Sequence, residues 1–250
     1  MPSLLDTART LPLVDHLLSR CNFPPTRAKV DCAVSGGADS VALMVLTCAA
    51  NLQVTAWHVD HGLRENSHAE AELVCEIADQ LGAACETRTV SVDANTNLEA
   101  RAREARYSVL PIGVMTGHTA DDQAETILIN LLRGSGTRGL AGMQPSHQHP
   151  LLQLRRSETE ELCAQLGVKV FKDPSNDDSR FQRNRIRQEV LPLFSSLAKR
   201  DMVPILTRQA ELLRDDDELL NELALSLEPT NALALAQAPV ALARRAIRSW

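Results

Sequence analysis

The sequence predicts an α/β protein: a parallel twisted sheet with helices on both faces, followed by a smaller all-helical region. Short apolar runs alternate with amphipathic ones as far as residue 133, the pattern of strands and helices wound into a parallel sheet. Small and polar residues punctuate the joins, most visibly SGGADS at 35–40. After Pro192 and Pro204 the strand pattern stops and Leu/Ala/Arg/Glu-rich segments at helical spacing take over. A length of 250 residues allows one large domain, or one with a small partner. We place the boundary near 196–204, giving an α/β domain over 1–198 and a helical region over 199–250.

In chain order, Leu4, Leu5, Leu11, Val14, Leu17 and Leu18 mark an amphipathic helix over 3–19. A buried strand follows at Lys29–Val34, then an apolar helix at Val41–Ala50. Gln53–Val59 is a strand, Ser67–Leu81 a helix stopped by Gly82, and Cys85–Val90 a strand. Asn97–Leu110 is a helix, Ile112–Thr116 a strand and Ala120–Arg133 a helix. The last helix, Val240–Trp250, carries no stop signal, as in a piece cut from a longer chain. Ligands of parallel sheets bind beyond the carboxyl ends of the strands. SGGADS, HVDHGLR and TGHTADD each follow a predicted strand, so three separate motifs converge on one edge.

Composition removes several classes. Four Phe, one Tyr and two Trp are too few for a platform that stacks successive bases. A net charge of −6 argues against nonspecific coating of nucleic acid, yet leaves room for a local patch. Arg180, Arg183, Arg185 and Arg187 form such a patch with no acid among them, whereas Asp215–Glu218 is an acidic run. On a helix Arg180, Arg183 and Arg187 share a stripe suited to nucleic-acid phosphates, with Arg185 off it. Arg208, Arg214, Arg244, Arg245 and Arg248 could extend that surface. The six cysteines never form C-x-x-C and several sit in apolar runs, which predicts reduced, buried thiols and no zinc site. No secretory leader or long uncharged apolar stretch is present, so a cytoplasmic protein without a membrane span is expected.

Ser35-Gly36-Gly37-Ala38-Asp39-Ser40 joins a strand to a helix. Paired glycines permit positive φ and close approach, so successive N–H groups can meet one anion. The helix N-terminus adds its own orphan amides, and Ser35 and Ser40 add hydroxyls. The segment is neither a Walker A loop nor G-x-G-x-x-G. Its bland reading is a tight turn with Asp39 as the helix N-cap. His118, Asp121, Asp122 and Glu125 open a helix, and with Asp60 at a strand end they form an acid cluster able to bind an ammonium or a metal and accept a proton. Here the bland reading is that Asp121 and Asp122 cap the helix and Glu125 makes a surface pair. His58 and His61 bracket Asp60, and backbone is expected to satisfy at least one of them. Gly134, Gly136, Gly139 and Gly142, four of eleven glycines, predict a loop that orders on substrate, with Arg133 and Arg138 bringing cations. The alternative is a plain connector.

The loop resembles that of the PP-loop ATP pyrophosphatases, which cleave ATP between the α and β phosphates. Further motifs narrow the likeness: His58–Arg64 (HVDHGLR), Asn97–Arg101 with Ala105–Tyr107, Thr116–His118 with Asp121–Thr126, and Arg133–Gly136 with Gly139–Leu140 and Gly142–Met143. Pro150–Leu152, Asp173–Asn176 and Arg183–Arg187 continue it. Over about residues 28–195 the chain resembles the tRNA(Ile)-lysidine synthetases.

That resemblance implies a PP-loop, adenine nucleotide α-hydrolase-like fold and an ATP-dependent ligase of the cytoplasm. The implied reaction adenylates C2 of the first-anticodon cytidine of tRNA(Ile) with a CAU anticodon, then joins L-lysine there, converting AUG reading to AUA. It implies Ser35, Gly36, Gly37, Ala38, Asp39, Ser40, Gly117 and His118 around ATP, with Mg²⁺ on Asp39. Asp39, Asp60, Asp122, Glu125 and Arg133 are the implied catalytic residues. Asp60, His61, Arg64, Asp121, Asp122, Glu125, Arg138, Arg183 and Arg187 would meet lysine or tRNA. Self-pairing into a homodimer stays open. His149 stands where family members often carry a basic residue, and nothing after Pro204 resembles their complete further domain. The competing functions are another PP-loop tRNA-modifying enzyme such as a thiolase, for which the paired cysteines are missing, and a non-catalytic nucleotide-binding module.

Overall fold

The computed structural model describes residues 3–60, 67–90, 98–171, 178 and 180–250. Packing divides the chain into two compact units, Met1–Asp122 with Pro145–Asp178 and Gln123–Gln144 with Ser179–Trp250.

The first unit is α/β, as the alternating pattern predicts. Strands β1 (Lys29–Ala33), β2 (Gln53–Asp60) and β3 (Ala84–Thr89) form a parallel sheet in the order β1-β2-β3. Cys32 pairs with Ala56, and Ala56 with Cys85. On the free edge of β1 the expected strand over 112–116 shrinks to one bridge, Cys32 to Met115. Pro111 and Gly113 explain the loss. Gly113 has φ +85° inside a turn closed by the Val114 amide on Pro111 O at 3.2 Å, so only Met115 is straight enough to pair. Connections therefore leave β1 in one direction and return on its other side, the switch point at which parallel sheets open a crevice.

Helix α3 (Ala38–Ala49) follows β1 and is buried from Ser40 to Ala49, so it is apolar all round rather than striped. It packs against Val54, Ala56, Val74, Ile77 and Leu81 in one core. Helix α4 (Ser67–Leu81) begins and ends where its pattern predicts, and α5 (Leu98–Val109) and α6 (Ala120–Leu132) fall within a residue of expectation. The division between units passes through α6. The expected single helix over 3–19 is two, α1 (Leu4–Thr10) and α2 (Pro12–Leu18). Pro12 lacks an N–H and would clash with the preceding turn, so the helix restarts with proline at its first position.

The cysteine expectation is corrected at one pair. Cys75 on α4 and Cys85 on β3 form a disulfide, with Cα atoms 5.3 Å apart. Sequence spacing hides this, because Cys85 faces α4 only once β3 has paired. Cys21, Cys32, Cys48 and Cys163 are free thiols, and burial pushes each up to about 12.

The second unit is helical. After the later part of α6 come α7 (Thr137–Leu140), α8 (Arg156–Gln165, in the first unit), α9 (Gln182–Arg185), a π turn (Ile186–Val190) and α10 (Leu191–Ala198). Then follow α11 (Val203–Ala224), α12 (Ala232–Gln237) and α13 (Val240–Ser249). No helix among the described residues is long and apolar enough to cross a membrane.

Candidate active site

The loop after β1 has the geometry its glycines suggest, at one position rather than two. Gly36 has φ +85°, while Gly37 has an ordinary φ of −74° and is the N-cap of α3. The Gly36 carbonyl accepts the Phe171 amide at 2.8 Å, which pins the turn. Among the described residues, no acceptor takes the amides of Gly36, Gly37 or Ala38. The two serines act within the loop: Ser40 Oγ donates to Gly37 O at 2.8 Å and accepts the Ser35 amide at 3.1 Å.

Asp39 is not the N-cap. It is the second residue of α3, and its carboxylate turns off the helix, with Oδ1 accepting the Thr159 hydroxyl and Oδ2 accepting Arg156 Nε at 3.2 Å. Burial pushes this carboxyl above its ordinary range. Thr159 and Arg156 oppose that, and the nearby Asp122 adds to it. Gly117 lies so close to the same turn that a Cβ there would stand 2.6 Å from Asp39 O. Two of the expected nucleotide motifs, at 35–40 and 116–118, thus touch through backbone.

Asp121 and Asp122 have different fates. Asp121 receives a two-pronged contact from Arg155, at 3.0 and 3.1 Å, and the Arg156 amide at 2.9 Å, so it caps α8 rather than α6. Burial alone would raise its carboxyl, but these donors hold it below the usual range. Asp122 Oδ2 accepts the Thr119 amide at 2.9 Å and hydroxyl at 3.0 Å, closing the start of α6, while Oδ1 accepts Arg156 Nη2 at 3.1 Å. Arg156 therefore bridges Asp39 and Asp122. Thr116 Oγ meets both His118 Nδ1 at 2.6 Å and His149 Nδ1 at 2.8 Å, and the two rings are edge to face at 5.1 Å. His58 is the backbone-satisfied histidine that was expected: its Nδ1 is 2.9 Å from Val34 O, and burial lowers its pKa. Asp60 ends β2. His61, Arg64 and the 173–176 turn lie outside the described residues.

In the second unit, Glu125 is fully buried rather than a surface pair, and it accepts Arg183 Nε at 2.7 Å and Arg187 Nε at 2.6 Å. The arginine segment is α9 followed by the π turn, and this widened backbone brings both side chains to one carboxylate. Arg185 pairs outward with Glu189. Arg133 and Arg138 are exposed, with no partner among the described residues. Arg214 and Arg245, expected on an RNA-facing surface, point inward instead, Arg214 to the carbonyls of Ala141 and Met143 and Arg245 to Asp217.

Residues 13–194 match the PP-loop domain family. The chain is 41% identical to a tRNA(Ile)-lysidine synthase of Nocardia farcinica, over 95% of this chain and 78% of that protein. It is 44% identical to one of Mycolicibacterium paratuberculosis, over 87% and 72% respectively. The chain belongs to the tRNA(Ile)-lysidine synthase family. Among solved structures, a U34-tRNA thiolase from Methanococcus maripaludis with its [4Fe-4S] cluster superposes with a TM-score of 0.58. That pair shares 15% identity over 84% of this chain and 79% of the other, a likeness of fold alone.

Within this lysidine synthase frame, sequence reasoning missed Arg155, Arg156 and Thr159. The signal was present as an Arg-Arg pair that follows the Pro150–Leu152 segment after Gln153 and Leu154. What was missing was any reason to join it to acids 34 and 117 residues away.

Proposed function

We propose that this chain ligates lysine to the first-anticodon cytidine of tRNA(Ile) with a CAU anticodon, using ATP. The observation that carries the reading is the row of open amides at Gly36, Gly37 and Ala38, beside an Asp39 carboxylate turned away from capping. Amides fixed at a helix start suit the charge that builds on a departing pyrophosphate, and they need no reorganisation as it forms.

In the first step, C2 oxygen of the cytidine attacks the α-phosphorus and pyrophosphate leaves. In the second, the lysine ε-amine, once deprotonated, attacks C2; the C2–O bond breaks and AMP departs with that oxygen. Ser35–Ser40, Gly117 and His118 surround the nucleotide in this reading. Asp39 and Asp122 converge on one guanidinium, and carboxylate oxygens are the donor type that Mg²⁺ takes. Mg²⁺ held by Asp39 would offset phosphate charge. Asp60, Asp121 and Asp122 serve the lysine ammonium and its proton, and His61 and Arg64 are assigned to lysine or tRNA in the same reading. Glu125 is already engaged by two guanidinium groups, so we assign it to orienting Arg183 and Arg187 toward RNA rather than to proton transfer. Arg133 and Arg138 meet phosphate. Residues 1–198 carry the ATP chemistry, and 199–250 contribute to holding tRNA.

The test is incubation with ATP, Mg²⁺, labelled lysine and tRNA(Ile). Label entering the RNA, with AMP and pyrophosphate released, supports the reading, and the Asp39→Ala variant should lose at least ~10²-fold in pyrophosphate release while keeping its circular dichroism. ATP binding without label transfer would leave only a nucleotide-binding module.

A further inference from the structure

The glycine-rich segment was expected to be loose, yet it is tied at nearly every turn. Asn130 Nδ2 donates to Gly139 O at 2.8 Å. Gln123 grips Met143 from both sides, its Oε1 taking the amide at 2.7 Å and its Nε2 reaching the carbonyl at 3.0 Å. Gly142, with φ +66°, packs so tightly that an added Cβ would stand 2.6 Å from Gln123 Oε1. Here glycine buys close approach, not looseness.

The remaining ties come from the C-terminal helices. Thr137 Oγ1, at the first residue of α7, donates to Asp217 Oδ1 of α11 at 2.8 Å and accepts Arg245 Nη2 of α13 at 3.0 Å. Arg245 Nη1 reaches Asp217 Oδ1 at 2.5 Å and Asn221 Oδ1 at 2.9 Å, and Asn221 Nδ2 returns to Asp217 Oδ2 at 3.0 Å. Asp217 and Arg245 are both buried. Arg214 of α11 holds the carbonyls of Ala141 and Met143 at 2.8 and 3.1 Å. The next residue after Thr137 is Arg138, exposed and without a described partner. A network centred on the buried Asp217 and Arg245 thus ends one residue short of an exposed cation.

We propose that the C-terminal helices buttress this segment through Thr137, Asp217 and Arg245, making these three positioning residues that hold Arg138 in shape for a phosphate-bearing substrate. The proposal rests on the reading above for the substrate, but not for the strap itself. Four glycines in an unbraced segment would sample many backbone states, and fixing Arg138 would then draw on binding energy. The strap removes that burden before substrate arrives.

Two arms test it. Hydrogen exchange on the full chain without nucleotide should show amides 134–143 exchanging about tenfold faster in Thr137→Val and in Asp217→Asn than in the parent. Unchanged exchange in both overturns the strap, whatever the activity. In tRNA-dependent pyrophosphate release, Thr137→Val should lower kcat about tenfold, with the melting temperature nearly kept. In an Arg138→Ala background the same change should cost less than about twofold, because its route runs through Arg138. Equal losses in both backgrounds overturn the positioning role. A parent that releases no pyrophosphate refutes the functional reading instead, and the exchange arm still decides the strap.

Discussion

Replacing Gly117 with alanine probes the contact that joins the two proposed nucleotide motifs. The added Cβ would lie 2.6 Å from Asp39 O, 2.8 Å from Asp39 C and 3.0 Å from Ser40 N. All three are backbone atoms of the first turn of α3, and none can rotate away. Ordinary contact begins at 3.4 Å, so the 116–118 segment and the start of α3 must part by about 0.8 Å. Overpacking of this kind costs about 1–3 kcal/mol. At ~2–4 °C per kcal/mol for a unit of this size, the melting temperature should fall by roughly 2–12 °C. A misplacement near 1 Å in a phosphate site can remove ~10² of rate, so pyrophosphate release should fall far more than stability does. Gly37→Ala is the stability control. Its Cβ would meet Ser35 Oγ at 3.7 Å and Phe171 O at 3.9 Å, at an unstrained φ of −74°, and its melting temperature should match the parent's. Should Gly117→Ala melt and turn over like the parent, the close approach and the argument built on it are both wrong.

Arg156→Met leaves Asp39 and Asp122 without their shared cation; a loss of about 1–3 kcal/mol in thermal unfolding and at least ~10-fold in pyrophosphate release is expected, and parental behaviour would show the bridge is idle. His58 is lowered from 6.5 by burial, so below pH 6.5 the unfolded chain binds a proton that the folded one refuses; stability should fall as pH drops from 6.5 through the folded pKa, and His58→Gln should flatten that part of the profile. A slope that survives in the variant assigns it to other groups. Glu125→Gln leaves two buried-facing guanidinium groups with a neutral acceptor; unfolding should come about 1–3 kcal/mol earlier, and tRNA affinity should weaken in filter binding. Unaltered affinity would detach Arg183 and Arg187 from RNA.

The local part of the fold was legible. Ser67–Leu81 begins and ends as its periodicity says, because apolar spacing, a terminal glycine and strand-length apolar runs act over a few residues. Failures came where one residue overrode the pattern, as Pro12 did in the first helix and Gly113 in the lost fourth strand. Others came where the deciding partner is remote. Cys75 and Cys85 meet only after β3 docks, and the bend that aims Arg183 and Arg187 at Glu125 is a π turn no helical-wheel count contains. For the candidate site, the residue types at the strand ends were readable, and so was the contest between capping and function. That contest had different outcomes at each acid. Asp39 caps nothing, Asp121 caps the wrong helix, and Asp122 does two jobs with its two oxygens.

Charge sharing explains how such an arrangement can be stable and, in the proposed reading, still receive a cation. Arg155 forks onto Asp121, whereas Arg156 reaches both Asp39 and Asp122. The same bonds tie α3, the start of α6 and α8, since Asp39 also takes the Thr159 hydroxyl and Asp122 the Thr119 amide. Two carboxylates on one delocalised cation repel each other across it, and burial strengthens both that repulsion and their pull on any further positive charge. In the proposed reading, an incoming ammonium or divalent ion would be drawn to these carboxylates. It finds oxygens already aimed by packing, so the charge that favours binding and the bonds that hold the fold reside in the same side chains.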